Sequence, residues 1–559
     1  MFIEFFFMPT LVLTNFTKEG LFVSALWNTP EKLQELLIEM VGWKSMTLTE
    51  GEVKFAYRLK EKLEGLPYFQ DNPELLALTE VNWGRQNVTA LYKHPEAVDT
   101  IVLLSHYDTV HTGEYADLEP LACNPLELGK AFEEVRDELD EDARADLDSG
   151  EYLFGRGVMD MKAGLALHMA TIERAINEEW PINLLLMTVA DEEVNSAGMR
   201  YGVSKLLDLE REHGLEFILF LNGEPVFAQK PGDKGHYIYS GSIGKIMPSA
   251  LFYGKETHVG EPLSGITSSY ISTYLTHRME WNPSFKETVY GETTPLPVTL
   301  TQRDMKLEYS AQTPYRTSAM YNVFTMERNA EEVMDIFETV ARDAAAHCMS
   351  DYRAMCEREN IEPVGEVQVL RYEELMKYAI NKFGLDYVNE TLYDTMMHPE
   401  WDVREKSMNI TDILLINCQE LTPAIVLMFA PPYYPAVNSS EDELVKHCIQ
   451  QVSDNAKDKF DLDIERIHYF NGISDLSYVN YESGNNGWLV YENNTPIYGD
   501  FYSIPFQAME KLNAPVLNVG QYGKDAHKRT ERLHIKNAFE EMPTLLAEMI
   551  QSIPVKSRN

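Results

Sequence analysis

The stretch TIVLLSHYDTV (100–110) is a short apolar run that ends abruptly in ionisable side chains, and it decides the fold class. Two later stretches follow the same plan, INLLLMTVADEE (182–193) and EFILFLNGEP (216–225). Continuous runs of Val, Ile and Leu are typical of parallel strands that are buried on both faces. Between the first two runs, MKAGLALHMATIERAINEEW (161–180) carries apolar residues at helical spacing. The sequence therefore predicts an α/β fold whose polar clusters lie beyond the carboxyl ends of its strands.

The texture of the chain changes after residue 237. SGSIGKIMPSALFYGKETHVGEP (240–262) alternates like a strand, and YNVFTMERNAEEVMDIFETVARDAAAHCMSDY (321–352) predicts a strand followed by a long helix. LTPAIVLMFAPPYYPAVN (421–438) then returns to the pattern of a buried strand bounded by prolines. We therefore predict a discontinuous first domain with a second domain inserted in it. The predicted boundaries are 1–237 for the first part of the main domain, 238–418 for the inserted domain and 419–559 for the second part.

Composition excludes several classes of partner. The chain has 559 residues with 88 Asp and Glu against 48 Lys and Arg, a formal net charge of −40. This charge repels phosphate backbones and anionic membrane surfaces, so neither nucleic acid nor a membrane is an expected partner. The five cysteines form no C-x-x-C pair and are odd in number, which favours a reducing, cytoplasmic compartment. The acidic stretch 127–151 is typical of a helical insertion with a solvated face.

The N-terminal stretch MFIEFFFMPTLVL (1–13) is apolar but interrupted by Glu4. It has no basic residues before it and is too short to span a bilayer. We interpret it as a terminal strand, or as a stretch included because the start of the protein is assigned too far upstream, with a signal segment as the alternative.

Five segments with His, Asp or Glu could build a site for two divalent metal ions. Such a site needs imidazole and carboxylate ligands, one bridging carboxylate, and one free carboxylate that accepts a proton from water. Alternate residues of a strand share a face, so His106 can bind a metal while Asp108 accepts its ring N–H. The adjacent Glu192 and Glu193 can divide the roles of base and ligand. The segments are SHYD (105–108), GVMD (157–160), DEE (191–193), NGE (222–224) and DAH (525–527).

These motifs, in this order, resemble those of the M20-type metallopeptidases and deacylases. The similar segments are SHYDTV (105–110), GRGVMDMKAG (155–164), ADEEVNSAGMR (190–200), GISD (472–475) and GKDAH with Glu531. The resemblance implies a zinc-exopeptidase-like (phosphorylase/hydrolase-like) three-layer α/β catalytic domain with an inserted α+β lid domain. Stretches such as YGKETHVGEP (253–262) are similar to the RocB-type arginine-utilisation branch, which implies a role in arginine catabolism.

The resemblance also implies a role for individual residues. His106, Asp160 and Glu224 would hold one metal, and Asp160, Glu193 and His527 the other, with Asp160 as the bridge. Glu192 would be the general base, Asp108 would orient His106, and His258 of the lid would donate to the developing oxyanion. An arginine of the lid would hold a substrate carboxylate, and Arg328 is the first candidate, with Arg303 and Arg316 as rivals. The implied cofactors are two divalent ions, zinc first, with cobalt or manganese as alternatives.

The expected function is hydrolysis of an amide bond in an N-acyl amino acid or small peptide, connected with arginine or amino-acid catabolism. Members of the family in which the Glu224 position is Glu rather than Asp tend to be carboxypeptidases and deacylases, which favours an N-acylated amino acid or a C-terminal peptide bond as the substrate. Carboxypeptidase or dipeptidase activity is the alternative. A catalytically inactive protein that binds an amino-acid metabolite is a further alternative. The expected partner is a small-molecule substrate, and the expected state is a monomer or homodimer.

Overall fold

The computed structural model describes residues 26–230, 232–306, 309–482 and 487–556, so the interpretation of the N-terminal stretch 1–13 lies outside the described residues. The strands are β1 Leu76–Glu80, β2 Gln86–Tyr92, β3 Asp99–His106, β4 Tyr152–Phe154, β5 Asn183–Val189, β6 Glu216–Asn222, β7 His236–Tyr239, β8 Gly241–Ser242, β9 Gly244–Tyr253, β10 Thr288–Val289, β11 Glu292–Thr293, β12 Val298–Asp304, β13 Arg316–Thr325, β14 Gln368–Arg371, β15 Ala424–Tyr434, β16 Val437–Asn438, β17 Ile464–Ile467, β18 Val516–Asn518, β19 Gly523–Lys524 and β20 Arg532–His534.

Helices cover both faces of the larger sheet, and they cover one face and part of the other face of the smaller sheet. They are α1 Pro30–Gly42, α2 Glu50–Leu63, α3 Pro67–Asp71, α4 Pro125–Glu134, α5 Glu141–Ser149, α6 Lys162–Glu178, α7 Ala197–His213, α8 Ser268–Met279, α9 Ala330–Glu359, α10 Tyr372–Phe383, α11 Leu385–Met396, α12 Val403–Asn417, α13 Glu443–Phe460, α14 Gly487–Asn493, α15 Phe506–Met509 and α16 Met542–Ser552. None of the helices in the described ranges has both the length and the apolar character needed to cross a bilayer.

The larger sheet has eight strands in the order β1-β2-β5-β3-β6-β18-β7-β17. Its centre is parallel, because β3 pairs in parallel with both β5 and β6. Successive side chains of β3 point to opposite faces, so Ile101 and Leu103 pack in one core while Val102 and Leu104 pack in the other. Helices α1, α6, α13 and α16 cover the first face and α7 covers the second. This three-layer arrangement confirms the α/β fold class.

The second sheet has five strands in the order β12-β13-β9-β15-β14 and forms the lid. Helices α8 and α9 pack on one face, where the Tyr321 ring lies 6.0 Å from that of Phe337. On the opposite face, Arg316 of β13 forms an ion pair with Asp412 of α12 at 2.7 Å. Helix α12 therefore covers one part of this face and leaves the rest open toward the larger sheet.

The structure corrects one boundary that the sequence predicts. β15 pairs with β9 from Ala424 to Tyr434, so this strand belongs to the lid sheet, whereas the predicted inserted domain ends at residue 418. The strand is buried along its whole length, as its apolar run indicates. An apolar run records burial but does not show which of two sheets buries it. The chain enters and leaves the lid at adjacent points, because β8 pairs with β16.

Candidate metal centre

Three neighbouring parallel strands bring the predicted motifs to one edge of the larger sheet. His106 is the last residue of β3, Asp191 to Glu193 follow β5, and Glu224 follows β6. Because the order is β5-β3-β6, the carboxyl ends of these strands lie side by side. Asp160 reaches the same edge from the turn before α6, and His527 reaches it from the loop between β19 and β20.

Two sets of potential metal ligands share one carboxylate. His106, Asp160 and Glu224 form one set, and Asp160, Glu193 and His527 form the other, with the ligand atoms of each set within 4.8 Å of one another. His106 Nε2 lies 3.3 Å from Asp160 Oδ1 and 3.5 Å from Glu224 Oε1. His527 Nε2 lies 3.1 Å from both Asp160 Oδ2 and Glu193 Oε2. Each oxygen of Asp160 therefore faces a different set, as a bridging ligand would.

The chemistry of the two sets fits a pair of divalent cations. Three carboxylates and two imidazoles converge, which is the ligand type that zinc and similar ions take. Glu193 Oε1 is buried and has no hydrogen-bond partner among the described residues. Carboxylates that lie this close together repel one another unless a cation lies between them.

Hydrogen bonds orient the ligands from behind. Asp108 Oδ1 lies 3.5 Å from His106 Nδ1 and accepts from the Glu192 N–H at 3.1 Å. Asp108 Oδ2 accepts from the Thr47 hydroxyl at 2.7 Å and from the Glu193 N–H at 3.3 Å. His106 Nδ1 also lies 3.1 Å from the Asp108 carbonyl oxygen. Asp108 is thus in contact both with the histidine of the first set and with the backbone of the Glu-Glu motif.

Glu192 lies beside the two sets without belonging to either. Its Oε2 lies 3.9 Å from His106 Nε2, and its carbonyl oxygen accepts from the Tyr434 hydroxyl at 3.1 Å. Burial raises the pKa of Glu192 well above the ordinary value. A buried carboxyl with a high pKa, next to a metal site, has the properties of a general base.

Hydrogen bonds between the histidines and the carboxylates shift the pKa values of both. Burial alone would lower the pKa of His527, but hydrogen bonds to Asp160 and Glu193 raise it to about 11. Burial would likewise raise the pKa of Asp160, but hydrogen bonds with His106 and His527 hold it well below the ordinary value. The electrostatic environment of the edge therefore favours positive charge strongly.

A second group of ion pairs holds the loop that carries His527. Glu531 accepts from the N–H of Gly157 at 2.7 Å and from the N–H of Asp160 at 3.4 Å, so it fixes the turn that presents Asp160. The buried Arg532 donates to Asp525 and to Asp146 of the acidic insertion at 2.5 and 2.6 Å. The predicted insertion is present as α4 and α5, but its inner face is paired with this loop instead of being solvated.

Two of the predicted site residues lie away from the ligand sets. His258 is exposed on the loop beyond β9, where its Nδ1 accepts from the Gly260 N–H at 3.1 Å. The stretch from Lys245 to Tyr253 in β9 spans about 26 Å at roughly 3.3 Å per residue, and His258 lies past its far end. The role of His258 as an oxyanion donor stays a prediction.

Arg328 also lies elsewhere. Its guanidinium donates to the Ser284 carbonyl oxygen at 3.0 Å, and it is not among the residues that line the cavity beside the ligand sets. The rival arginines are paired as well, Arg303 with Glu405 and Arg316 with Asp412. The expected arginine for the substrate carboxylate is therefore not brought to the cavity at any of these three positions.

Two other cations, which the sequence does not single out, do line this cavity. Lys245 is on β9 and makes no hydrogen bond or ion pair with any residue in the described ranges. Arg404 is the second residue of α12. Its guanidinium pairs with Asp402 Oδ2 at 3.1 Å and donates to Asn195 Oδ1 at 3.3 Å and to the Pro431 carbonyl oxygen at 3.4 Å. Burial, and then the charge of Arg404, lower the pKa of Lys245. Nothing in the sequence around Arg404 indicates that this residue faces a cavity, because the metal-site residues of that cavity, such as Glu192, lie about 200 residues earlier in the chain.

Taken together, the three-layer domain, the lid and the paired ligand sets define a dinuclear metal-binding type of hydrolase fold. The sequence matches Peptidase family M20/M25/M40 over residues 102–493, and the chain belongs to that family. It is 39% identical to the uncharacterized protein YqjN of Bacillus subtilis (strain 168), over 95% of this chain and 98% of that one. It is 31% identical to Protein RocB of the same organism, over 93% and 94% of the two chains.

Solved structures show the same fold. The M20 family metallo-carboxypeptidase Sso-CP2 from Sulfolobus solfataricus is similar with a TM-score of 0.54 and 13% identity, over 93% of this chain and 98% of that one. A tripeptidase from Staphylococcus aureus subsp. aureus Mu50 is similar with a TM-score of 0.50 and 14% identity, over 94% and 98%. Membership of the family supports a hydrolase that acts on amide bonds.

Proposed function

We propose that this protein hydrolyses the amide bond of an N-acyl amino acid or a small peptide with a water molecule activated between two divalent metal ions. The observation that carries the proposal is the position of Asp160, one of whose oxygens faces His106 and the other His527. Glu192 lies beside these two ligand sets and belongs to neither. His106, Asp160 and Glu224 would hold one ion, and Asp160, Glu193 and His527 the other. Bound there, the ions would supply an acidified water and polarise the scissile carbonyl.

The remaining steps belong to the side chains of this chain. Glu192 accepts a proton from the attacking water and returns it to the amide nitrogen as the C–N bond breaks, so a carboxylate and an amine leave. Its Oε2 lies 3.9 Å from His106 Nε2, so this carboxylate is beside the ligand sets but outside both. Asp108 keeps His106 in the orientation that directs Nε2 toward the ligand set.

Lys245 and Arg404 are proposed to bind a carboxylate of the substrate. They line the same cavity as Glu192, and Lys245 lacks a partner among the described residues. A substrate carboxylate would compensate this half-buried charge. This assignment replaces Arg328, which donates to Ser284 instead.

Carboxypeptidase or dipeptidase activity is the second candidate, because through the family resemblance Glu224 in the first ligand set favours a C-terminal peptide bond as much as an N-acylated amino acid. The similarity to RocB supports a connection with arginine catabolism as a further proposal.

An inactive binding protein is disfavoured because Glu192 is retained next to five ligands. Zinc is the proposed resident ion, with cobalt or manganese as substitutes. The five cysteines are free and buried, which supports a reducing compartment such as the cytoplasm.

Mass spectrometry of reaction products tests the proposal. The full chain is incubated with N-acyl amino acids and dipeptides, arginine derivatives included, with zinc, cobalt or manganese and with a chelator. We expect cleavage that the chelator abolishes. Absence of cleavage across the panel, with two metal ions bound per chain, would contradict the proposal, and absence of bound metal would favour a binding protein.

The variant Glu192→Gln separates the base from the ligands. We expect kcat to fall by about 10²- to 10⁴-fold, because proton transfer is lost, while two metal ions stay bound. Glu193→Gln is the matched control, since the same change one residue away removes a ligand and is expected to lower the metal content. Loss of metal in the Glu192→Gln variant would contradict the assignment.

A further inference from the structure

The cavity beside the ligand sets has two chemically different walls. It has a volume of about 640 Å³ and lies between the edge of the larger sheet and the open part of the lid sheet. The wall on the larger sheet carries the metal ligands and Glu192. The wall on the lid carries the two cations and a group of apolar side chains, namely Met247, Leu300, Met320 and Phe324.

The pairing of the lid strands explains why these apolar side chains surround Lys245. Lys245 and Met247 point to the same face of β9 because they are two residues apart. Lys245 pairs directly with Phe324 of β13, and Met320 pairs with Ser249. Side chains of residues that pair across antiparallel strands lie about 5 Å apart at their Cβ atoms. Lys245 and Phe324 therefore start from neighbouring positions on this face, and both line the cavity.

These apolar residues occupy positions where the sheet would ordinarily be polar. A sheet with one face on helices usually presents polar side chains on its open face. Here Leu300 is 46% exposed, and Met320 and Phe324 are half-buried and line the cavity. Methionine side chains adapt to ligands of irregular shape, and apolar cavity walls with few polar groups are typical of small-molecule sites.

Among the described residues, the lid wall of the cavity offers no carboxylate that could pair with a cationic side chain. The carboxylates of the cavity, within the described residues, are Asp160, Glu193 and Glu224 of the ligand sets and the base Glu192. The charged side chains on the lid wall are those of Lys245 and Arg404, and Arg404 also pairs with Asp402, which does not line the cavity. A guanidinium group placed against this wall would lose its hydration and face two like charges.

We propose that the amino-acid half of the substrate carries a large apolar side chain, with its carboxylate on Lys245 and Arg404 and its side chain on Met247, Leu300, Met320 and Phe324. The inference rests on the proposed amide hydrolysis. It separates the direct substrate from arginine derivatives, which the similarity to RocB would otherwise favour. One amino acid can place its carboxylate and its side chain on these two groups, because Phe324 is the strand partner of Lys245.

The zinc-loaded full chain is tested with N-acetyl-L-methionine, N-acetyl-L-leucine, N-acetyl-L-phenylalanine, N-acetyl-L-alanine and N-acetyl-L-arginine. We expect kcat/KM to be about 10- to 100-fold higher for at least one of the three large apolar substrates than for the alanine and arginine derivatives, in the range that apolar side-chain discrimination gives. An arginine derivative cleaved as well as all three apolar ones would overturn the inference.

Charge variants of the apolar wall test its location. Phe324→Asp and Met320→Glu each put a carboxylate on the wall, and we expect each to raise kcat/KM for the arginine derivative relative to the apolar ones by at least tenfold. Leu126→Glu is the matched control, because Leu126 is 54% exposed on α4 and does not line the cavity. Thermal unfolding checks that each variant is folded. A uniform loss for every substrate in both folded wall variants would contradict the assignment of the wall.

Binding to the Glu192→Gln variant separates this inference from the proposed function. Calorimetric titration with the same N-acetyl amino acids reports recognition without turnover. If the variant binds the apolar derivatives preferentially and the wild-type chain cleaves none of them, the inference stands and the proposed hydrolysis is refuted. Equal binding of the arginine and apolar derivatives would refute the inference even if hydrolysis is observed.

Discussion

Asp108 shows how much of the site depends on one residue that binds no metal. It contacts His106 and accepts hydrogen bonds from Thr47 and from the backbone of Glu192 and Glu193. We expect Asp108→Asn to weaken metal binding at the His106 set by about 10- to 100-fold, because an amide carries no charge for the imidazole and has one acceptor oxygen instead of two. Competition with a chromophoric chelator measures the affinity. Thr47→Ser, which keeps the hydroxyl donor, is the control, and an unchanged affinity in Asp108→Asn would contradict the role.

At the same scale, the sequence indicates the residues that converge at the candidate metal site better than the residues that line the cavity beside it. His106, Asp160, Glu193, Glu224 and His527 could be selected because metal binding restricts residue type and the motifs occur in a recognisable order. Lys245 and Arg404 could not, since a lysine in a strand and an arginine at a helix start are common on surfaces. Which of them faces a cavity depends on the packing of the lid against the larger sheet.

Among the elements, the acidic insertion is predicted to stabilise the loop of the second metal set. Asp525 and His527 have φ values of 60° and 66°, and the left-handed region is costly for residues other than glycine. Arg532 and Lys524 connect this loop to Asp146 at 2.6 and 2.7 Å. We expect Asp146→Asn to lower the affinity for the second metal ion by about tenfold and to leave the affinity for the first unchanged. The reason is that the loop loses its ion pairs with Asp146.

Calorimetric titration with zinc resolves the two binding steps in that variant. Glu133→Gln is the matched control, because Glu133 is exposed on α4 of the same insertion. If the affinity for each ion is the same in Asp146→Asn as in wild type, the insertion does not position His527.

Strand β15 shows what the sequence predicts about an element and what it does not. Its apolar run predicts a buried strand correctly, yet its sheet follows from pairing with β9, which lies about 180 residues earlier and which local patterns do not record.

For the whole molecule, the metal ions are expected to connect parts of the chain that are far apart in sequence. The second set joins Asp160 and Glu193 of the larger sheet to His527 of the C-terminal loop. A ligand that binds only the folded state stabilises it by about 2.7 kcal/mol per site at a hundredfold excess over Kd. We therefore expect a chelator to lower the Tm by several degrees, and zinc to restore it.

The position of the change is more informative than its size. Hydrogen exchange followed by mass spectrometry should show faster exchange after chelation in the segment 523–534, which carries His527, because this loop loses its ligand bond and keeps only its ion pairs. The lid strands β12 and β13 serve as the internal control, since they contain none of the five ligands. Equal acceleration in the lid and in the loop would mean that the ions act on the fold as a whole. Acceleration confined to the loop would identify the second set as the contact by which metal binding holds the C-terminal part of the chain to the catalytic sheet.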